Sequence, residues 1–540
     1  MNLTETYHDL EGPTEDSSRD DVRLLPPTWD ASPLGAPARR RSVAIALVGT
    51  IAVTAYLAWL LRPDRVGTPV LFAALVVAEL FNVAQALGFW WTCVFTPRRR
   101  SRSAPTALTE LVDVDVLIPT YDESVAIVEP TVVAATRLRG ARVHVALLDD
   151  GDRDAMEQLA RRCGVDYVRR REHSGAKAGN INHALGTTSS PYVLVVDCDH
   201  VVHPDLLLHA LPRFHPTDDP GDSTGQRGAA FVQTPQYYAN HGENRIAEAS
   251  WSQQSLFFGA IARGKDARGT MFCCGTNVVF RRAALEEIGG FPETSVTEDF
   301  ELSIELHERG WTSEYVSEVL ASGLGPEDLG SYVSQQHRWA RGCVGAIGRV
   351  LRARLPWRTR LQYLLSASYF LTGWTLAVYI SLPVIRIFTG AQPIADASAE
   401  NFLVAFAPYF GLALVAVASV GGGAYSYSAY ALAASTFWVQ IHASCKALFR
   451  RPSRFVVTPK DASSDRQWRA AAPTLGVLGV LAVTIAVGLL RDRSAGTINN
   501  VALALFHMVV LAHGVSTAIV PSVARITPLP VEGDLDELAA

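Results

Sequence analysis

The chain has 540 residues, which is too long for one compact core and enough for two or three domains. Hydrophobic residues make up 49% of it and charged residues only 19%, a balance typical of a protein that is partly soluble and partly embedded in a membrane. The formal net charge of -5 argues against a nucleic-acid-binding protein, and seven cysteines without a C-x-x-C pair favour neither a zinc site nor a disulfide framework.

The first predicted elements are a tail and a pair of membrane-spanning helices. Residues 1–38 are acidic and Pro-rich and contain no apolar run, which predicts a disordered cytosolic tail and not a signal peptide. Residues 39–100 hold two apolar stretches, 42–61 and 68–91, each long enough to span a bilayer as a helix. Three arginines precede the first stretch and three follow the second, which predicts that both outer ends of this hairpin are cytoplasmic.

Residues 105–350 are predicted to form a soluble α/β domain. Short apolar strands, "VDVLIP", "RVHVALL", "YVLVV" and "AAFVQT", alternate with helical patterns over 125–138, 154–163, 204–213 and 299–309. This alternation predicts a mostly parallel sheet covered by helices.

The remainder of the chain is again apolar and is predicted to add two pairs of spans, within 355–420 and 470–522. The individual spans are expected at 362–387, 401–420, 471–490 and 499–521. Between the pairs, residues 421–462 begin with a less uniformly apolar segment that ends in basic residues, which favours an interfacial helix over a further span. We therefore expect six spans, both termini in the cytoplasm, and a short acidic tail over 523–540.

Acidic residues follow three of the predicted strands. They occur in "VLIPTYDE" (116–123), "ALLDDGDR" (146–153) and "VVDCDH" (195–200). Ligands of an open parallel sheet bind beyond the carboxyl ends of its strands. One such acidic tip can be an ordinary turn, whereas three in succession on one sheet edge predict a ligand site.

Asp197 and Asp199 are the candidate metal ligands at this edge. Residues i and i+2 of an extended chain point to the same side, so the two carboxylates can converge while Cys198 faces the core. Two such charges repel unless a cation lies between them, and Mg²⁺ or Mn²⁺ commonly bridges carboxylates to phosphates. The alternative is that one or both acids cap a helix or a turn.

The ordered set of motifs along the chain resembles the processive, membrane-embedded family 2 glycosyltransferases of the cellulose synthase group. The motifs are "DVLIPTYDE", "LLDDG", "AKAGNIN", "DCDH", "FVQTPQ", "FCCGTNVVFRR", "TEDFEL", "QQHRWARG" and "FVVTPK". The likeness is strong over about 113–345. It implies a GT-A-like cytosolic domain inserted between transmembrane helices.

The resemblance implies that seven residues bind a UDP-sugar and that Asp197 and Asp199 bind the metal that bridges its phosphates. The seven are Thr120, Tyr121, Glu123, Asp149, Asp150, Lys177 and Arg338. Asp149 and Asp150 would accept hydrogen bonds from the uridine. Lys177 and Arg338 would present positive charge to the diphosphate.

Asp299 of the "TED" motif matches the family's general base, which takes the proton from the acceptor hydroxyl. The alternative, if the surrounding motifs are set aside, is that the negative charge of Asp299 only complements the dipole at a helix N-terminus. The resemblance places four further residues near the acceptor sugar: Cys274, Glu298, Gln335 and Trp339. Trp339 would stack under a sugar ring, with anchoring at the membrane interface as the alternative. Cys273 departs from the usual F-C-G pattern.

The "FVVTPK" segment resembles the family's gating loop, which closes over the nucleotide. The matching residues are Phe455, Val457, Thr458 and Lys460. The arginines just before it fit positive-inside anchors equally well. Among the histidines, His173 and His337 are interpreted as surface or turn residues without an acid–base role. His200 could contact the water shell of the metal.

The expected function is therefore inverting, processive transfer from UDP-glucose to a β-linked polysaccharide at the plasma membrane. The expected partners are the donor, the polysaccharide, the bilayer and accessory export subunits, with no nucleic acid. A non-processive transferase that charges a polyprenyl phosphate is the alternative, and a transporter or receptor is a third. Few intramembrane charges and no evident inverted repeat argue against the third.

Two departures from the family leave the chemical identity of the polymer undetermined. The sequence shows no C-terminal β-barrel with the R-x-x-x-R element for cyclic-di-GMP, and fewer N-terminal spans than in the best-known bacterial enzymes. We expect any activation by that nucleotide to need another chain. Cellulose is the default product, but a β-1,3-glucan, a mannan or a mixed-linkage polymer would use the same catalytic residues.

Overall fold

The computed structural model describes residues 36–96, 111–171, 173–214, 227–395, 399–422, 424–449, 464–492 and 494–519. The strands are β1 Asp113–Thr120, β2 Arg142–Asp149, β3 Asp166–Arg169, β4 Tyr192–Val195, β5 His200–Val202, β6 Ala229–Gln233, β7 Tyr237–Tyr238, β8 Val278–Arg281, β9 Thr312–Tyr315 and β10 Ala321–Gly323. The helices between the first two and the last four membrane segments are α3 Val125–Thr136, α4 Asp154–Cys163, α5 Ala176–Leu185, α6 Leu206–Ala210, α7 Arg245–Leu256, α8 Ala262–Asp266, α9 Arg282–Ile288, α10 Glu298–Glu308 and α11 Leu329–Arg352. The remaining helices are α1 Ala36–Leu60, α2 Pro69–Cys93, α12 Trp357–Ser368, α13 Thr372–Thr389, α14 Ala399–Val420, α15 Tyr427–Ser435, α16 Phe437–Leu448, α17 Ser464–Arg491 and α18 Ala495–Ile519.

The α/β domain is built on a seven-stranded sheet of order β3-β2-β1-β4-β8-β6-β9. Its pairs are parallel except for the two made by β8, which runs antiparallel to both β4 and β6. A second sheet of order β5-β10-β7 lies beside it. The predicted mostly parallel α/β fold is confirmed. The sequence pattern did not predict the antiparallel strand β8, whose apolar run "VVF" reads like any other buried strand.

Both faces of the large sheet are buried, which explains why its central strands are almost continuously apolar. Val114, Val116 and Ile118 of β1 point into one core, which also contains α3 and α4. Leu117 of the same strand points into the opposite core, which contains α5 and α10. Because successive strand residues face opposite sides, a strand with two buried faces has little room for polar side chains.

Asp115 is the exception in β1, and Arg282 at the start of α9 compensates its charge. The guanidinium donates to Asp115 at 2.7 Å and to the carbonyl oxygens of Ser190 and Leu185, at 2.6 and 3.1 Å. Ser190 also donates to Asp115 through its hydroxyl, at 2.6 Å. This buried pair ties β1 to β8 and α9 across the sheet.

We expect Arg282→Met to destabilise the folded chain by about 3–5 kcal/mol, because it leaves the Asp115 carboxylate buried and unpaired. The measurement is the thermal unfolding midpoint of the protein purified in detergent. Arg142→Met is the matched control, since Arg142 pairs with Asp113 on the surface and its loss should have a much smaller effect. Equal midpoints for the two variants would contradict the assigned role of Arg282.

Six helical segments among the described residues are long and apolar enough to cross a membrane. They are Arg39–Leu60, Pro69–Cys93, Trp357–Thr389, Glu400–Val420, Gln467–Arg491 and Ala495–Thr517. Each overlaps a span that the sequence predicts, and Trp357–Thr389 contains both α12 and α13. Between the fourth and fifth segments the chain forms two short helices, α15 and α16, where one interfacial helix is predicted.

Polar side chains on α2 bind partners on the following membrane segment, α12 and α13. Asn82 donates to Tyr379 at 2.8 Å, and Gln85 donates to Ser368 at 2.8 Å. At the end of α2, Thr92 accepts a hydrogen bond from Gln362 at 2.9 Å. Polar groups inside a bilayer must find protein partners, so this row of bonds fixes the packing of the second and third segments.

Candidate active site

One cavity of about 540 Å³ lies at the carboxyl ends of β1 and β4, between the large sheet and α11. It gathers most of the residues that the sequence assigns to the site. Those that line it are Thr120, Tyr121, Glu123, Asp150, Lys177, Asp197, Asp199, Cys274, Glu298, Asp299, Gln335, Arg338 and Trp339. Asp149 does not line it, and the gating-loop residues Phe455, Val457, Thr458 and Lys460 lie outside the described residues.

The tip of β1 holds one end of this cavity. Glu123 accepts hydrogen bonds from the Thr120 hydroxyl and the Tyr121 amide, each at 2.9 Å. The Tyr121 ring is 47% exposed and meets His173 edge-on, with 6.2 Å between the ring centroids. This leaves an open aromatic surface beside the carboxylate of Asp150, an arrangement that can hold a flat heterocycle.

Asp150 and Asp149 have different surroundings although they are adjacent. Arg170 binds Asp150 with two hydrogen bonds of 2.7 Å, which hold this side chain at the cavity wall. Asp149 is fully buried and accepts from the amide of Arg153 at 2.7 Å and the hydroxyl of Tyr167 at 2.9 Å. Its oxygens are therefore engaged within the protein, and the structure does not place them where a uridine could reach them.

Arg153, which is not among the predicted site residues, also supports this end of the cavity. Its side chain donates to Asp149 at 2.9 Å, to the Thr120 hydroxyl at 2.9 Å and to the Glu123 carbonyl at 2.5 Å. Asp149 thus positions the β1 tip through Arg153. In the sequence, the four-residue spacing between Asp149 and Arg153 in "DDGDR" is the pattern that could have indicated this pairing.

The "DCDH" segment follows β4 as a short turn and not as an extended strand. Cys198 is buried in the core, as predicted, and Asp197 and Asp199 both line the cavity. The Asp197 amide donates to the Thr276 hydroxyl at 2.8 Å, which ties this turn to the "FCCGTN" loop. His200 is buried, and its Nδ1 accepts a hydrogen bond from the Asn277 amide at 2.9 Å.

Lys177 lies at the N-terminus of α5 and contacts the carboxylate of Asp197 directly. It also donates to the Gly275 carbonyl at 2.7 Å. Burial opposes its charge, but the carboxylates of Asp197, Glu298 and Asp299 outweigh burial and raise the pKa of Lys177. The lysine is therefore a charged group in the middle of a ring of acids.

The Asp197 and Asp199 side chains fit a divalent cation by the chemistry of their donor atoms. Both offer carboxylate oxygens to the same cavity, which is the ligand type that Mg²⁺ and Mn²⁺ prefer. No group of three His, Cys, Asp or Glu side chains suited to a metal occurs among the described residues. A cation held here would therefore need phosphate or water oxygens to complete its coordination.

Asp299 is the second residue of α10 and lines the same cavity as Lys177. Its Oδ1 accepts the amide of Phe300 at 2.7 Å. Burial, followed by the like charge of Glu298, raises its pKa from 3.8 to about 7, although Lys177 and Arg338 oppose this shift. A carboxyl group with a pKa near neutrality can both accept and release a proton under physiological conditions.

Gly275 in the "FCCG" loop allows Asp299 to approach this closely. Its φ of 86° lies in the left-handed region, and a Cβ added there would lie 3.1 Å from Asp299 Oδ2. Two glutamines of the "FVQTPQ" motif, to which the sequence assigns no role, bind the same loop. Gln233 accepts from the Cys274 amide at 2.8 Å, and Gln236 donates to the Cys274 carbonyl at 2.7 Å.

We expect Gly275→Ala to lower the kcat for sugar transfer by about 10- to 100-fold, because strain of about 1–3 kcal/mol would displace Asp299. Steady-state kinetics of the purified chain measure this change. Gly269→Ala is the control, since Gly269 also has a positive φ but has open space where a Cβ would lie. If both variants lose activity equally, general backbone strain and not the contact with Asp299 explains the loss.

Helix α11 supplies the wall opposite the sheet. Asp328 caps its N-terminus by accepting the Ser331 amide at 2.7 Å. Gln335, Arg338 and Trp339 then face the cavity within a little more than one helical turn. The Gln335 Nε2 reaches the Tyr238 hydroxyl at 3.4 Å, while its Oε1 is buried and has no hydrogen-bond partner within the described residues. That oxygen is available to a ligand hydroxyl.

The chain is similar in sequence to known glycosyltransferases. The family model "Glycosyl transferase family group 2" matches residues 192–421. The chain is 30% identical over 437 residues to "Putative cellulose synthase 2" of Komagataeibacter xylinus, covering 77% of this chain and 28% of that protein. It is 32% identical over 432 residues to "Cellulose synthase catalytic subunit [UDP-forming]" of Komagataeibacter sucrofermentans, covering 76% of this chain and 54% of that protein.

A solved structure is similar in fold. It is "Mannosyltransferase PcManGT from Pyrobaculum calidifontis in complex with GDP-Man and Mn2+", with a TM-score of 0.50 and 18% identity, covering 71% of this chain and 99% of that chain. The alignments with the two curated relatives span only about a quarter and about half of their lengths.

Proposed function

We propose that this chain is a family 2 glycosyltransferase of the cellulose synthase type. It would build a β-linked polysaccharide from UDP-glucose by inverting, processive transfer and pass it through its membrane helices. The observation that carries the proposal is the content of one cavity. The cavity is lined by Lys177 and Arg338, by the pair Asp197 and Asp199, and by the separate carboxyl group of Asp299.

The donor would lie along the carboxyl edge of the sheet. The exposed ring of Tyr121 would contact the uracil, and the carboxylate of Asp150 would accept its hydrogen bonds. Lys177 and Arg338 would meet the diphosphate with charge-assisted hydrogen bonds. A Mg²⁺ or Mn²⁺ ion on Asp197 and Asp199 would supply positive charge to the UDP leaving group.

Asp299 would remove the proton from the acceptor hydroxyl. As the O–H bond breaks, the oxygen forms the new bond to the anomeric carbon, and the bond to UDP breaks on the opposite side of the sugar. The electron pair leaves with UDP, and the proton remains on the Asp299 carboxyl group until it passes to water. This arrangement separates the base from the leaving group, as inversion requires.

The acceptor would lie against α11. Trp339 offers a flat surface for a sugar ring. Gln335 Oε1, which no described residue contacts by a hydrogen bond, offers an acceptor for a hydroxyl. A few residues after α11 ends at Arg352, the chain begins the apolar segment Trp357–Thr389. A bound polymer would thus leave the cavity towards the membrane, as a processive enzyme requires. The catalytic domain and both termini would lie on the cytoplasmic side, as the arginines that flank the first two apolar stretches predict.

Glu298→Gln is expected to move the acidic limb of the pH–rate profile to lower pH. The like charge of Glu298 helps to raise the pKa of Asp299 to about 7, so its removal lowers that pKa and leaves the base ionised in more acidic solution. The measurement is kcat/KM between pH 5.5 and 8.5. Glu301→Gln, on the same helix but outside the cavity, should leave the limb in place. A limb unchanged in Glu298→Gln would mean that Asp299 does not determine it.

The deciding experiment supplies the lipid-reconstituted chain with radiolabelled UDP-glucose and Mg²⁺ or Mn²⁺, and analyses the product by size and linkage. We expect long β-glucan that resists release by lipid hydrolysis. A single sugar on a polyprenyl phosphate would instead support a non-processive transferase. Absence of UDP release with any nucleotide sugar, under conditions in which UDP binds, would contradict both functions.

A further inference from the structure

Residues 273–277, which lead into β8, contact several parts of the proposed catalytic machinery. Gly275 lies beside the Asp299 carboxyl group, and its carbonyl accepts a hydrogen bond from the Lys177 ammonium group at 2.7 Å. The Asp197 amide donates to a threonine hydroxyl of the same segment at 2.8 Å. A shift of this segment would therefore move the base relative to the groups that would bind the donor. We call it the 273–277 loop.

Gln233, the last residue of β6, holds the loop from the side of the sheet. Its side chain is fully buried. Its Oε1 accepts the Cys274 amide at 2.8 Å, and its Nε2 donates to the Thr276 carbonyl at 2.8 Å. These two bonds flank Gly275, so one side chain fixes the backbone on both sides of the residue that lies beside Asp299. A buried amide with satisfied hydrogen bonds makes the backbone that it binds rigid.

Ser303 holds the same loop from α10, the helix that carries Asp299. Its side chain is fully buried, and its hydroxyl accepts the Cys273 amide at 2.7 Å and donates to the Asp299 carbonyl at 2.7 Å. The adjacent amides of Cys273 and Cys274 are thus bound by two different elements, α10 and β6. The loop cannot move away from the base without breaking a buried hydrogen bond.

The backbone of the loop is strained. Gly275 has a φ of 86°, and two positions later Asn277, which is not a glycine, has a φ of 55°. The Asn277 carbonyl accepts hydrogen bonds from the amide and the hydroxyl of Thr234, at 3.1 and 3.0 Å. Left-handed conformations persist at ordinary residues only where the surroundings impose them, and they concentrate at functional sites. The strain indicates that the exact position of this loop has a function.

We propose that Gln233 and Ser303 are positioning residues for the reaction, which fix the 273–277 loop and thereby the place of the Asp299 carboxyl group. Neither side chain lines the cavity, so neither would touch a substrate. The inference rests on the proposed role of Asp299 as the base. A displacement of about 1 Å at a reacting group can lower a rate by about 10²-fold, so such positioning matters for catalysis.

The first test is a double-mutant cycle of Gln233→Met and Asp299→Asn, measured by single-turnover transfer from UDP-glucose. Gln233→Met alone should lower the transfer rate by about 10²-fold, because methionine binds neither the Cys274 amide nor the Thr276 carbonyl. In the Asp299→Asn background the same change should lower the rate by less than about threefold, because no base is left to displace. Equal losses in both backgrounds would overturn the proposal.

Gln362→Met is the matched control for this cycle. Gln362 is also buried, and its side chain donates to Thr92 at the end of α2, away from the 273–277 loop. Any loss of rate that this variant shows should be the same with aspartate or asparagine at position 299, since Gln362 does not hold the loop. Coupling to position 299 as strong as that of Gln233→Met would show that any buried glutamine gives this result, and would reject the specific role of Gln233.

A stability measurement tests the same contacts without sugar transfer. Burial raises the pKa of Asp299 to about 7, so Asp299→Asn should raise the thermal unfolding midpoint at pH 8. This gain should shrink in chains that carry Gln233→Met, because a loosened loop admits water to the carboxyl group. Ser303→Ala, a smaller change, should act in the same direction and replaces Gln233→Met if that variant does not unfold cooperatively.

The two measurements separate this inference from the proposed function. An unchanged gain at pH 8 in both variants would overturn the positioning role, whether or not the chain transfers glucose. A reduced gain in a chain that transfers no sugar from any donor would support the contact of the loop with Asp299 and reject only the proposed function.

Discussion

Replacing Asp299 by asparagine is expected to lower the rate of sugar transfer by about 10²- to 10⁴-fold, the usual contribution of a general base. The amide has nearly the same shape and can still accept the Phe300 amide at its oxygen, so the cavity should keep its form. UDP affinity should stay within a few-fold of the wild type, because the proposed donor contacts lie on other residues. Single-turnover transfer and equilibrium UDP binding measure the two effects separately.

The same variant should be more stable than the wild type in alkaline solution. The pKa of Asp299 is raised in the folded chain, so ionisation of the carboxyl group disfavours folding as the pH rises through about 7. Asparagine removes that cost, so its advantage in thermal midpoint should be largest at pH 8 and should fade towards pH 4. Glu301→Gln, outside the cavity on the same helix, is the control for transfer. A collapse of UDP affinity in Asp299→Asn, with transfer per bound donor intact, would reject Asp299 as the base.

The sequence was sufficient to predict the elements whose signals are local. The strand tips at Thr120, Asp150 and Asp197 each follow an apolar run, and parallel strands bring their carboxyl ends to one edge. The helices that begin at Asp154 and Glu298 were predicted to within one residue because apolar periodicity and acidic first turns agree there. Motif order also predicted that distant segments converge, and most of the named residues line one cavity. Their roles there remain predictions.

Other features depend on tertiary partners that no local pattern encodes. Asp149 and Asp150 are indistinguishable in "LLDDG", and only the position of Arg153 and Arg170 decides which carboxylate faces the cavity. The direction of β8 depends on the path of the chain before it, not on the apolar residues of its own "VVF" run. The raised pKa of Asp299 likewise reflects burial by loops more than twenty residues away in sequence, such as the one at Gly275.

Lys177→Met is expected to change metal and nucleotide binding in opposite directions. In the free chain the lysine contacts the same Asp197 carboxylate that would bind a divalent cation. Removing this competing charge should tighten Mn²⁺ binding to the chain alone. The diphosphate then lacks one charge-assisted hydrogen bond worth about 1.5–3 kcal/mol, so UDP affinity at saturating Mn²⁺ should fall by about 10- to 100-fold.

Calorimetric titrations of Mn²⁺ and of Mn²⁺-saturated UDP would separate these two effects. Lys177→Arg is the matched variant, because it keeps the charge but not the compact ammonium group that reaches both Asp197 and the Gly275 carbonyl. It should leave Mn²⁺ binding weak and reduce UDP affinity less than methionine does. If Lys177→Met weakens the binding of both Mn²⁺ and UDP, the lysine supports the fold of the "DCDH" turn and does not alternate between Asp197 and the diphosphate. Opposite signs would instead indicate that Lys177 neutralises Asp197 until the donor and its metal arrive.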